Sequence, residues 1–147
     1  MKDESKFWQT VKKNTRKITW TRLESWISRG VPDLLGYHDS CGFFMCELKI
    51  QRGNKIVFSP HQKLFHMTMT KRNFILVEVH DNTHPRSALP APKGFKPLSV
   101  KLYPSSAIHD LIKNANETKP LVQLTNKDAS KLAVQEPWTA IEEALLG

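Results

Sequence analysis

Three ionisable side chains between residues 29 and 50 have types and spacing that suit chemistry. Asp33 and Glu47 are carboxylates inside otherwise apolar runs, and Lys49 follows the second acid by two positions. Residues two apart on a strand project from the same face, so Glu47 and Lys49 are expected on one side of a sheet. Burying such charges without a function would be costly. The segment therefore predicts a functional site.

A divalent metal ion would explain the two acids. Mg²⁺ prefers oxygen ligands and usually takes one or two carboxylates together with waters and phosphate oxygens. Asp33 and Glu47 are therefore predicted to bind Mg²⁺, with Mn²⁺ as a substitute, and Lys49 to stabilise charge on a bound water or a phosphate. Structural alternatives remain open. Asp33 could cap a turn after Pro32, and Glu47 could pair with Lys49 on a half-exposed strand.

The elements that must position these residues follow from hydrophobic periodicity and turn residues. Residues 6–14 predict an amphipathic helix, because Phe7, Trp8 and Val11 recur at helical spacing. Apolar and β-branched runs separated by glycine-containing turns predict strands, with a hairpin joining the second to the third. These three strands are residues 18–24, 31–37 and 43–50. A helix is the alternative near the end of the first, because Leu23, Trp26 and Ile27 would also suit helical spacing.

Residues 59–62 carry several signals that predict the start of a helix. Ser59 can be the N-cap, Pro60 the first helical residue, and Gln62 the second member of a capping box. The helix is expected to end near residues 71–73, before a strand at 74–79. A strand, a helix and a second strand in succession indicate a parallel crossover.

The rest of the chain is predicted to complete one domain, residues 1–147, whose core is about 18–80. Residues 81–97 hold four of the nine prolines and predict a loop that could face the substrate. Beyond it the pattern predicts further strands and helices. These are strands at 99–103 and 121–124 and helices at 106–115, 127–134 and 138–146.

The charge is uneven along the chain. The net charge is +8, and residues 1–75 hold 14 Lys and Arg against 6 acids. A basic half that also contains the acid–lysine segment suggests a polyanionic partner, with nucleic acid first. A basic, well-solvated surface without a specific partner is the alternative.

Several classes of protein are disfavoured by the sequence. Residues 1–10 are charged, with no run of signal-peptide length, and no run could span a bilayer. Cys41 and Cys46 form no disulfide framework and match no zinc motif, so both are predicted to be reduced thiols in a cytoplasmic protein. There is neither a P-loop nor a GxGxxG motif, so nucleotide-driven chemistry has no support.

The ordered set of these motifs resembles the PD-(D/E)XK nuclease superfamily. GVPDLL at 30–35 supplies the first acid, ELK at 47–49 the second acid and the lysine, and SPHQ at 59–62 follows. This order is closest to the branch called VRR-NUC or Holliday-junction-resolvase-like, in a phage-type form. The resemblance covers about residues 21–79. It implies an α/β fold, a mixed β-sheet flanked by helices, and metal-dependent phosphodiester cleavage, often by a homodimer.

The resemblance also implies roles for two further residues. Many members bring a third acid from upstream of the Pro-Asp, and RLE at 22–24 matches one such form, so Glu24 is a candidate metal ligand. Gln62 would support the site, although it could equally be only a capping residue. A plain surface acid is the alternative for Glu24.

The sequence is therefore interpreted as a Mg²⁺-dependent DNA endonuclease, in the host cytoplasm if phage-encoded. A short domain without a separate recognition module favours structure-selective cutting, so a Holliday junction resolvase is the first hypothesis. A flap or repair endonuclease is the second. Two non-enzymatic alternatives are a DNA-binding protein on the same fold and a phage protein that binds a host protein. The predicted dimer interface is the apolar stripe Phe7, Trp8 and Val11.

Overall fold

The computed structural model describes residues 3–23, 30–80, 99–125 and 136–147. Within them the chain forms a mixed sheet of six strands and four α-helices, so the predicted α/β class is confirmed. None of the helices in these ranges is long and apolar enough to cross a membrane. The strands are β1 Thr19–Arg22, β2 Leu34–His38, β3 Gly42–Arg52, β4 Asn73–His80, β5 Ser99–Pro104 and β6 Val122–Thr125. The helices are α1 Asp3–Asn14, α2 Pro60–Thr68, α3 Ile108–Lys113 and α4 Glu136–Leu146.

The strands lie in the sheet in the order in which they occur along the chain. β3 and β4 are parallel and are joined through α2, which confirms the predicted crossover, whereas all other neighbouring pairs are antiparallel. Every residue of β4 is buried. A strand covered on both faces has little solvated surface, which explains the apolar run FILV in its sequence.

Two separate apolar cores lie on the two faces of the sheet. Alternate residues of β3, among them Cys46 and Leu48, pack with α1 and α4 on one face. The other face carries Ile75 and Val77 of β4 and packs against α3. Glu47 and Lys49 stand opposite Ile75 and Val77 in the parallel register, so they project toward this second face.

Some predicted boundaries were wrong. β2 begins at Leu34 and not at residue 31, so Asp33 immediately precedes the strand. The helix predicted at 106–115 is a 3₁₀ turn, Ser105–Ala107, continued by α3, which ends at Lys113. Three predicted features lie outside the described residues: Glu24, the whole proline-rich loop at 81–97 and the helix at 127–134.

The predicted dimer interface was also wrong. Phe7, Trp8 and Val11 are 0%, 8% and 0% exposed and belong to the core beneath the sheet. Their helical spacing correctly indicated a buried face. The chain's own sheet covers that face, so it is not available to a second copy.

Candidate active site

Asp33 and Glu47 lie side by side where the β2–β3 ladder ends. Leu34 pairs with Cys46, and the next step along both strands brings the two acids together. The Asp33 Oδ2 accepts a hydrogen bond from the Leu48 backbone N at 2.9 Å, and the Glu47 Oε2 accepts one from the Asp33 backbone N at 3.1 Å. Each acid therefore binds the backbone of the opposite strand, which continues the ladder through side chains.

Glu47 is a buried carboxyl with unused hydrogen-bonding capacity. Its side chain is fully buried, and its Oε1 has no hydrogen-bond partner among the described residues. Burial and then the neighbouring Asp33 carboxyl raise the pKa of Glu47 to about 10, against the opposing effect of Lys49. Glu47 therefore carries a proton at neutral pH when nothing else neutralises it.

The acid pair fits a hard divalent cation. One buried carboxylate oxygen has no hydrogen-bond partner in the described part of the chain, and a second carboxylate adjoins it. Mg²⁺ commonly binds through one or two carboxylates and waters. Such an ion would replace the proton on Glu47. Within the described ranges no three His, Cys, Asp or Glu side chains are grouped to hold a metal, and Glu24 is outside those ranges.

Lys49 is held close to this pair but is bound by other groups. Its side chain is nearly buried, and its Nζ donates hydrogen bonds to the Val57 carbonyl oxygen at 2.7 Å and to the Gln62 Oε1 at 2.9 Å. The ammonium lies 4.9 Å from the centre of the Phe58 ring. Among the described ion pairs there is none between Lys49 and Glu47, so a solvated surface pair is excluded.

Gln62 forms the predicted capping box and also contacts Lys49. Its Oε1 accepts a hydrogen bond from the Ser59 backbone N at 3.0 Å, and the Ser59 Oγ accepts one from the Gln62 N at 3.1 Å, which completes the capping box. The same Oε1 also accepts the hydrogen bond from the Lys49 Nζ. Two donors converge on one atom, which identifies it as the amide oxygen. The start of α2 is therefore tied to the site lysine.

The backbone at position 30, shortly before Asp33, requires a glycine. Its φ is +83°, a region that favours glycine, and an added Cβ would lie 2.4 Å from the backbone oxygen of His61. The backbone at Gly30 therefore packs directly against the first turn of α2.

His66 is a site-adjacent residue that the sequence analysis missed. It is fully buried on α2, one turn after Gln62, and its Nδ1 lies 2.6 Å from the Ser105 Oγ. Burial and then the positive charge of Lys49 lower the pKa of His66 to about 4, while Asp33 opposes the shift. The four-residue spacing between Gln62 and His66 is a signal that could have identified it, since such residues share a helix face.

Cys41 and Cys46 take no part in this arrangement. Both are free thiols, as predicted from their number and spacing. Burial raises the pKa of the Cys46 thiol well above its usual value, which disfavours the thiolate. Cys46 behaves as a small apolar core residue.

No protein-family model, curated protein or solved structure matches the chain.

The raised pKa of Glu47 predicts how stability depends on pH without metal. The folded protein keeps a proton that the unfolded chain loses above the ordinary pKa of 4.5, so the free energy of unfolding should fall between about pH 4.5 and 10. The limiting slope is about 1.4 kcal/mol per pH unit. Denaturant unfolding of wild type and Glu47→Gln in EDTA, over a pH series, measures this difference directly.

Saturating Mg²⁺ should flatten the wild-type profile, because the cation replaces the proton. Parallel pH profiles of wild type and Glu47→Gln without metal would show that Glu47 is already ionised in the folded state.

Proposed function

We propose that this protein is a metal-dependent endonuclease of the PD-(D/E)XK type that hydrolyses DNA phosphodiester bonds, with branched DNA as its substrate. The observation that carries the proposal is the pairing of Asp33 with the buried Glu47, next to a nearly buried Lys49 that shares the strand face of Glu47 and whose charge acts on its carboxyl. Glu47 leaves one carboxylate oxygen there without a hydrogen-bond partner among the described residues. A purely structural acid would be expected to satisfy both oxygens.

The three side chains have distinct roles in this proposal. Asp33 and Glu47 would hold Mg²⁺. When bound, the ion would polarise the scissile phosphate and make a water more acidic. Lys49 supplies a fixed positive charge for the negative charge that develops during attack. Gln62 orients Lys49, because its Oε1 accepts a hydrogen bond from the Lys49 ammonium.

The order of the elements along the chain and their positions in the fold support the proposal. A mixed sheet with helices on both faces is compatible with the PD-(D/E)XK core. The first acid, the hairpin, the second acid with its lysine, and the following helix occur in the order that the resemblance implies. α2 brings Gln62 back to β3, so residues far apart in the motif meet at one site.

The substrate is proposed from charge and symmetry. Residues 1–75, which contain the site, carry the whole net charge of +8, so phosphate contacts should supply most of the affinity. One active site cuts one strand at a time, and resolving a four-way junction takes two symmetric cuts. A two-fold dimer presents two suitably related sites. The dimer surface must differ from the α1 face, which is buried within the chain.

A cleavage panel tests this function. Four-way junction, flap, single-stranded and linear duplex DNA would be incubated with the protein in Mg²⁺, Mn²⁺ or EDTA. We expect metal-dependent, paired nicks in opposing strands of the junction, and binding that weakens steeply with salt. Light scattering should give about twice the chain mass of 16.9 kDa.

Each outcome of the panel has a different meaning. A monomer that cuts linear duplex as fast as a junction would exclude the resolvase assignment but keep the nuclease. Preferential cutting of a flap would favour the repair-type alternative. Metal-independent binding with no cleavage of any substrate would make the protein a non-catalytic DNA-binding protein.

A further inference from the structure

The hydrogen bonds of His66 define which of its nitrogens is free. The Ser105 Oγ is 2.6 Å from the His66 Nδ1 and also lies 3.3 Å from the His66 carbonyl oxygen, to which it donates. A serine hydroxyl can donate only one hydrogen bond. If Ser105 donates to the His66 carbonyl oxygen, the hydrogen bond with Nδ1 must be donated by Nδ1 and accepted by the Ser105 Oγ. Both contacts are satisfied only when Nδ1 carries the ring proton. Nε2 is then a neutral acceptor.

His66 is 0% exposed, and its Nε2 has no hydrogen-bond partner among the described residues. Buried polar atoms are nearly always paired, with protein or with ordered water. An acceptor that no described residue satisfies is therefore a place where a partner from outside the described residues can bind. Water and a water-bearing ion are the smallest such partners.

His66 lies next to the proposed active site. It follows Gln62 by one helical turn on α2, and Gln62 contacts Lys49 at 2.9 Å. The Phe58 ring lies against both groups, 4.9 Å from the Lys49 ammonium and 6.3 Å from the His66 ring, centre to centre. The charges of Lys49 and Asp33 also reach the imidazole. The imidazole therefore lies in the neighbourhood of the acid–lysine site.

We propose that His66 is a positioning residue of this site, whose Nε2 accepts a hydrogen bond from a water molecule bound with the Asp33–Glu47 metal. The proposal rests on the nuclease function and deepens it. The ring is held by full burial and by edge-on contacts with Phe58 and Phe65, and it orients the water beside Lys49. The competing structural role is narrower. In that role His66 only attaches α2 to the 3₁₀ turn through Ser105.

Two substitutions at one position separate these roles. The amide of asparagine reaches about as far as Nδ1 of histidine, whereas the amide of glutamine reaches about as far as Nε2. His66→Asn therefore keeps the contact with Ser105 and removes the acceptor, and His66→Gln restores an acceptor where Nε2 was. Ser105→Ala is the matched control, since it removes the attachment and leaves Nε2 in place.

The readout is single-turnover cleavage at saturating DNA, with affinity measured separately. We expect His66→Asn to cut about tenfold slower at unchanged affinity, which corresponds to the loss of one hydrogen bond. His66→Gln should recover most of the rate, and Ser105→Ala should stay within about threefold of wild type while unfolding more easily. Equal losses in both His66 variants, or a loss in Ser105→Ala as large as in His66→Asn, would overturn the proposal.

A measurement without DNA separates this inference from the nuclease assignment. Nitrogen-15 NMR of the histidine rings should show His66 protonated on Nδ1, with an Nε2 resonance that moves when Mg²⁺ is added to wild type but not to Asp33→Asn. A moving Nε2 in a protein that cuts no DNA would keep the His66 assignment and reject the nuclease. Metal-dependent cleavage with an Nε2 that ignores Mg²⁺ would reject the role of His66 alone.

Discussion

Asp33→Asn and Glu47→Gln should each reduce Mg²⁺-dependent cleavage by roughly 10²–10³ or more, because each removes a negative ligand from the proposed ion. DNA binding should change little, since Lys and Arg contacts to phosphates supply most of the affinity. Cleavage under single-turnover conditions and binding in the absence of cleavage measure the two effects separately.

Both substitutions are expected to preserve the fold, so that a change in cleavage can be attributed to the site itself. Asparagine at position 33 keeps an oxygen that can accept from the Leu48 backbone N. Glutamine at position 47 resembles the protonated carboxyl that the raised pKa indicates, and it keeps an oxygen for the Asp33 backbone N. A loss of cleavage would therefore report lost metal binding more than lost structure.

Asp39→Asn is a suitable control for this pair. Asp39 is an exposed acid in the turn of the same hairpin, where it accepts a hydrogen bond from the Tyr37 hydroxyl. Its replacement makes the same change in charge and should leave cleavage near the wild-type rate. Calorimetry should likewise show weakened Mg²⁺ binding in the two site variants and normal binding in Asp39→Asn. A site variant that cuts at the wild-type rate in Mg²⁺ would contradict the metal assignment.

Lys49→Met should lower the single-turnover rate by about a hundredfold while changing DNA affinity far less. A hundredfold loss corresponds to about 2.7 kcal/mol of transition-state stabilisation, which is within the range of one well-placed charge. The physical reason is the position of the ammonium. It is nearly buried, shares a strand face with Glu47 and is fixed by Val57 and Gln62, so it is poorly placed as a general phosphate contact.

Lys63→Met provides the comparison, because Lys63 is an exposed lysine on α2 next to Gln62. If it contacts DNA, its loss should weaken binding and reduce the salt dependence, with a normal rate once DNA is saturating. The same behaviour in Lys49→Met, with weaker binding but normal saturated cleavage, would make Lys49 a simple phosphate contact.

The secondary structure near the site was largely predictable because its signals are local. The capping box at Ser59 and Gln62 depends on residues three apart, and the structure contains both of its hydrogen bonds. The hairpin between β2 and β3 and the parallel crossover through α2 also follow the predicted order. Strand ends were less predictable, since hydrogen bonding to neighbouring strands sets where a ladder begins, and Asp33 therefore precedes β2.

The apolar stripe of α1 shows the limit of periodicity. The spacing of Phe7, Trp8 and Val11 determines that this helix face is buried, and the structure agrees. Periodicity does not state which surface does the burying. The chain's own sheet covers the stripe, so the prediction of an intermolecular interface there was wrong.

The sequence by itself determined which side chains could do chemistry: two acids, a lysine on the same strand face as the second acid, and a glutamine at a helix start. Only the tertiary structure decided their states. Contacts between separate elements decide three features: the attachment of Lys49 to Gln62, the closed environment of His66, and the Glu47 oxygen that no described residue hydrogen-bonds. Burial and neighbouring charge shift a pKa, and both depend on how β3, α2 and the 3₁₀ turn pack together. Residue types and spacing do not specify that packing.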